Sequence, residues 1–187
     1  MILGLGILII LISTIAVVLF TQKKSFHGAV ITPPLPAAEI KLTDQNGQPF
    51  VLSNLRGKVV LVFFGYTNCP DECPLTMAHL KQTLELLGDR ADDVQVVMVT
   101  TDPARDTAQA LKDWLVRFNP TFLGLLGTPD ELAKTYSNYG VLVEDGGTTH
   151  STFVYVIDRA GNLRLTFLSD MYAQDMADDL AILLREK

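Results

Sequence analysis

An α/β domain built on a mixed central sheet is the fold class this sequence predicts, and three observations predict it. Residues 58–64 and 94–100 are runs dominated by Val, Leu, Phe and Met, the pattern of strands buried on both faces. Between them, and again after them, the apolar spacing lengthens to that of helices. Short apolar stretches joined by turn residues stand at either end, around Asp44-Gln45-Asn46-Gly47 and Asp158-Arg159-Ala160-Gly161-Asn162, which is how hairpins read in a sequence.

Taken in order, residues 2–20 are uncharged and apolar apart from Gly4, Gly6, Ser13 and Thr14. About 20 such residues span a hydrocarbon core of about 30 Å as a helix, so residues 1–22 read as one transmembrane anchor. A cleaved signal peptide fits less well: no Lys or Arg precedes the apolar run, and Phe26 and His27 make a poor cleavage site. Lys23 and Lys24, counted alone, pull the following chain toward the cytoplasm. The chemistry below favours the opposite side, with a soluble domain outside the cytoplasm, as on the periplasmic face of a bacterial inner membrane. Residues 23–38 contain Thr32-Pro33-Pro34-Leu35-Pro36 and read as a stiff, extended tether. The folded domain is expected over residues 39–187.

Within it, residues 40–43 and 48–52 form the first hairpin, residues 58–64 a buried strand, and Leu75, Ala78, Leu80, Leu84 and Leu87 a helix ending at Gly88. Pro74 suits the first helical position, where its missing N–H costs nothing. A strand over 94–100 follows, then a helix capped by Asp106 or Thr107 that carries Leu111, Trp114, Leu115 and Phe118 and stops before Pro120. A strand over 122–126, a helix opened by Thr128-Pro129-Asp130-Glu131, a weakly extended 140–143, a hairpin of 151–157 with 163–167, and a helix over 171–185 complete the chain. This order resembles the thioredoxin fold, a mixed central sheet with an N-terminal β-hairpin and a C-terminal hairpin plus helix. Site residues on such a sheet belong at the carboxyl ends of the strands.

The two cysteines, Cys69 and Cys73, fall there, three residues apart and each followed by proline. At a helix start the dipole and free N–H groups favour a thiolate. Two thiols cannot build a closed four-cysteine zinc site, so they either cycle between dithiol and disulfide or share a metal with other ligands. A purely structural disulfide would close too short a loop to restrain the unfolded chain much. Asp71 and Glu72 between the thiols are expected to raise both thiol pKa values while favouring a cation, which tips the balance toward metal carriage.

There are three histidines. His27 lies in the tether, and His79 reads as an ordinary helical residue. His150 closes the loop after Glu144-Asp145-Gly146-Gly147 and precedes a strand; thioredoxin-like proteins usually carry a cis-proline there, facing the cysteines. From position alone His150 is as well read as a loop residue as a ligand. With an imidazole opposite two thiolates, the donors suit copper better than Mg or Ca, and zinc with a water remains open. Asp102 and Arg105 read as a structural ion pair beside the cysteine loop. The formal charge of -6 without basic clusters argues against a nucleic-acid partner.

The segment Phe64-Gly65-Tyr66-Thr67-Asn68-Cys69-Pro70-Asp71-Glu72-Cys73-Pro74, with Asp102-Pro103-Ala104-Arg105-Asp106-Thr107 and with His150 ahead of Tyr155, Ile157 and Asp158, resembles the motifs of the Sco/SenC family of membrane-anchored copper chaperones. The resemblance implies copper, as Cu(I) or Cu(II), on Cys69, Cys73 and His150. It also implies a copper donor, and delivery to the dinuclear centre of cytochrome c oxidase subunit II or another acceptor. A role in reducing that subunit's cysteines is implied as well, so the chain reads as a carrier more than an enzyme. Thr148 and Thr149 stand where many members have an acidic residue before the histidine, leaving Asp145 or Asp71 to support the imidazole. Two other readings stay open: a thiol-disulfide oxidoreductase using Cys69 and Cys73, and a peroxidase of the peroxiredoxin kind with Thr67 and Arg105 around Cys69.

Overall fold

The computed structural model describes residues 25–144, 152–186 and the backbone of 149–150. The apolar stretch read as a membrane anchor lies outside the described residues, and no helix among them is long and apolar enough to cross a membrane.

Among the described residues, ten strands and four α-helices follow one another: β1 (Ala29–Pro36), β2 (Lys41–Asp44), β3 (Pro49–Val51), β4 (Val59–Gly65), α1 (Glu72–Leu87), β5 (Val94–Thr100), α2 (Ala108–Leu115), β6 (Leu123–Leu126), α3 (Pro129–Tyr139), β7 (Val143–Glu144), β8 (Thr149–His150), β9 (Phe153–Ile157), β10 (Asn162–Leu168) and α4 (Ala173–Leu183). Eight strands form one sheet in the order β1-β10-β9-β4-β5-β6-β2-β3. β4, β5 and β6 run parallel, and every other pairing is antiparallel. The mixed sheet expected from the sequence is therefore present.

β4 is central and buried along its whole length. Its alternating side chains serve two cores. Leu61 and Phe63 pack with Met77, Leu80 and Leu84 of α1, Leu111 and Leu115 of α2, and Met176 and Leu180 of α4. Val60, Val62 and Phe64 face the other way, against Leu132 and Tyr139 of α3 and against Leu42 and Phe50 of the first hairpin. Full burial of each such side chain stabilises the fold by about 1.5–3 kcal/mol, which holds the end of β4 rigidly under the cysteine loop.

Four expectations are corrected. Residues 29–36 are not a tether but strand β1, paired with β10, so the folded sheet begins well before residue 39. Proline is tolerated there because an edge strand leaves half its N–H groups unpaired. Helix α1 begins at Glu72 with Asp71 as N-cap, which makes Pro74 its third residue; the whole first turn lacks intrahelical N–H partners, so proline fits there too. Leu75 is consequently exposed, while Cys73, Thr76 and Met77 are buried. Finally, the strand expected over 151–157 is β9 alone, and His150 belongs to the separate pair β7–β8.

Several details follow the sequence closely. Gly47 takes φ 77° in the first hairpin turn, a conformation that favours glycine. Thr128 and Glu131 form a reciprocal capping box at the start of α3. The first described residues are held by α4: the N–H groups of His27 and Gly28 donate to the buried Asp179 carboxylate at 2.8–3.0 Å.

Candidate metal centre

β4 delivers the chain to Gly65, and residues 66–71 turn it into α1. In that turn the Cys69 N–H donates to the Tyr66 carbonyl at 3.3 Å. Cys73 sits in the first turn of α1, fully buried, and its N–H donates to Cys69 Sγ at 3.4 Å. Cys69 is only partly buried, and neither cysteine is joined in a disulfide. The two sulfurs are thus brought to one place, one at the surface and one beneath it. Gly65 is required by this closeness: a Cβ there would lie 3.0 Å from Cys73 Sγ and 2.5 Å from Phe63 Cε1.

The two thiols differ electrostatically. Burial pushes Cys69 up, but it is outweighed by hydrogen bonds from the backbone of Cys73 and Asp71 and from the side chains of Cys73 and Tyr66, so the Cys69 thiol falls below its ordinary value. Burial pushes the Cys73 thiol far up, and the neighbouring Cys69 and Glu72 add to the rise. Of the two acidic residues expected to raise both thiols, only Glu72 does so, and only at Cys73; Asp71 acts through its backbone N–H, which lowers Cys69. At Cys69 the donors at the helix start win, as they do wherever N–H groups point at a thiolate. The Asp71 side chain is exposed and makes no capping bond.

A second loop, after β5, braces the first. Thr107, not Asp106, caps α2, accepting from the Ala110 N–H at 3.1 Å. Asp106 is only 1% exposed. Its carboxylate accepts from the Thr67 hydroxyl and the Thr100 hydroxyl, each at 2.6 Å, and from the Thr67 N–H at 3.1 Å. The Thr101 N–H donates to the Gly65 carbonyl at 2.8 Å. Arg105 makes the expected ion pair with the buried Asp102, and its guanidinium lies 6.0 Å from the Tyr66 ring centre. Thr67 and Arg105, the residues a peroxidase would use, are therefore engaged by Asp106 and Asp102.

The histidines fall into different settings. The backbone of His150 is paired with Val143 in β7–β8; its side chain, and Asp145, lie outside what is described. His79 is half-buried on α1, with Nδ1 buried and lacking a hydrogen-bond partner among the described residues. His27 Nδ1 lies 3.6 Å from Asp175 of α4. Among the described residues no group of three or more His, Cys, Asp and Glu converges as a metal-holding set.

The model of the SCO1/SenC family matches residues 33–185. The chain belongs to the SCO1/SenC family. Among its relatives, the SCO2-like protein RP587 of Rickettsia prowazekii is 30% identical over 190 residues, covering 95% of this chain and 90% of its own. The solved structure of Bradyrhizobium japonicum ScoI with copper bound shares 35% identity and a TM-score of 0.73, covering 79% of this chain and 99% of its own. Apo Sco1 from Thermus thermophilus shares 32% identity and a TM-score of 0.77, covering 87% and 99%. The thioredoxin-like α/β fold with a mixed sheet is that of these SCO1/SenC structures.

Proposed function

We propose that this SCO1/SenC domain carries copper on Cys69, Cys73 and His150 and passes it to a copper-accepting protein, namely the dinuclear centre of cytochrome c oxidase subunit II. The observation that carries the reading is the pair of reduced thiols brought together at the start of α1, on a scaffold whose relative at 35% identity was solved with copper bound. Thiolates are soft donors that select copper over hard cations. His150 is the third ligand by its position in the motif that the sequence shares with the family. The half-exposed Cys69 is the sulfur an incoming ligand reaches first, and the buried Cys73 is the one that retains the metal until transfer. Residues 1–22 anchor the domain to a membrane, with the soluble part outside the cytoplasm.

A second reading is favoured by the unequal thiols, because a lowered, accessible Cys69 beside a raised, buried Cys73 also suits disulfide reduction. Cys69 thiolate would attack a partner's disulfide and release one partner thiolate. Cys73 would then displace the second, so the partner gains two electrons and the domain ends as a disulfide. Anaerobic Cu(I) titration of the chain with metal analysis separates the two. Copper carriage predicts one copper per chain, lost in both Cys69→Ser and Cys73→Ser. No bound copper in the wild type, with reduction of a disulfide substrate that survives His150→Ala, would overturn it in favour of the reductase.

A further inference from the structure

Asp106 is a carboxylate buried to 1% exposure, and among the described residues its hydrogen-bonding partners are neutral N–H and O–H groups. Burying a charge without a cationic partner is costly. Helix capping does not account for it, because the adjacent Thr107 caps α2. What the carboxylate does hold is a pair of loops. One oxygen takes the Thr67 hydroxyl at 2.6 Å and the Thr67 N–H at 3.1 Å; the other takes the Thr100 hydroxyl at 2.6 Å. Thr100 ends β5 and is itself fixed, its hydroxyl accepting from the Asp102 N–H at 3.0 Å and its carbonyl from the Tyr136 hydroxyl at 2.5 Å.

The two sulfurs are held by different means. Cys73 is fixed by α1 and by complete burial. Cys69 is half-buried in the turn before the helix, two residues after Thr67. The separation of the sulfurs therefore follows the conformation of residues 66–71, and Thr67 is where that turn is tied to the sheet. We infer that Asp106 is a positioning residue for Cys69: acting through Thr67, it holds the cysteine turn so that Cys69 stays poised against Cys73. This deepens the copper reading and rests on it only for the identity of the cargo.

The test reads the pair itself. In a glutathione redox buffer without metal, Cys69 and Cys73 give two electrons and two protons to glutathione disulfide, which becomes two glutathiones as the intramolecular disulfide closes. Asp106→Ala is expected to lower the equilibrium constant for closure roughly tenfold, the cost of reordering about one backbone residue. Thr67→Val, which loses the hydroxyl but keeps the N–H, lowers it by a smaller factor in the same direction. Asp106→Asn, which keeps an acceptor, restores most of the loss. Thr135→Val is the stability control, since it removes a hydroxyl bond to the Glu131 carbonyl on α3 at 2.7 Å. Closure in Asp106→Ala and Thr67→Val equal to that of the wild type, or of Thr135→Val, overturns the inference; should Asp106→Ala fail to fold, wild-type closure in Thr67→Val overturns it alone. A wild-type chain that binds no copper overturns the copper reading only, and the closure equilibrium still decides on Asp106.

Discussion

Replacing Gly65 with alanine adds one methyl group at the tightest place in the cysteine site. The new Cβ would stand 2.5 Å from Phe63 Cε1, 3.2 Å from Phe63 Cζ and 3.0 Å from Cys73 Sγ, where ordinary contact is 3.4–4 Å. Neither neighbour has room to retreat, because Phe63 and Cys73 are both fully buried. Overpacking of this kind costs about 1–3 kcal/mol, and each kcal/mol lowers Tm by about 2–4 °C in a domain of this size. Thermal unfolding of the reduced, metal-free chain should therefore show a fall of about 2–12 °C. The displaced Cys73 sulfur should also weaken copper binding. Gly124→Ala is the comparison: its Cβ would meet Leu115 Cδ1 at 2.8 Å and Leu111 Cβ at 3.2 Å, but it lies away from the cysteines on β6, so it should leave copper affinity unchanged. A Gly65→Ala chain with wild-type Tm and wild-type copper affinity would refute the packing argument for this glycine.

Two further outcomes follow from the same geometry. With metal removed and the thiols reduced, iodoacetamide near neutral pH should alkylate Cys69 well before Cys73, as read by peptide mass mapping; the lowered, accessible thiol supplies the nucleophile, and preferential labelling of Cys73 would contradict it. Glu131 is held below its ordinary carboxyl value by the N–H and hydroxyl of Thr128. A depressed folded value means that its contribution is complete above the ordinary value near 4.5 and is lost as pH falls through the lower folded value. Glu131→Gln should therefore flatten the acid limb of stability against pH, and an unchanged limb would count against the capping box.

Much of the fold was legible because its strands are buried on both faces. β5 occupies the residues 94–100 that the apolar run predicts, and β4 lies within one residue of its predicted bounds. The misreadings have local causes. Proline in residues 32–36 signals an extended tether, and nothing within that stretch reveals the pairing with β10, more than a hundred residues away in the chain. Pro74 marks a first turn without saying which position in it. At the site, the cysteines and the Asp102–Arg105 pair were visible as motifs. Asp106 was visible as a possible helix cap and as a member of that second motif, but not as a tie to Thr67, because that bond spans 39 residues and leaves no periodicity to read. The lowering of Cys69 was hidden for a related reason: counting charges gives Asp71 and Glu72, whereas what outweighs the cost of burial is a set of hydrogen bonds from the backbone of Cys73 and Asp71 and the side chains of Cys73 and Tyr66.

The central claim is that three residues, Cys69, Cys73 and His150, hold the copper. Its most direct test is an anaerobic copper titration of His150→Ala beside His79→Ala, followed through the thiolate-to-copper charge-transfer band of the Cu(II) form. The account predicts that His150→Ala abolishes the band and weakens binding by more than about a hundredfold, beyond the loss of a supporting hydrogen bond, while His79→Ala keeps both. Equal behaviour of the two variants would contradict it.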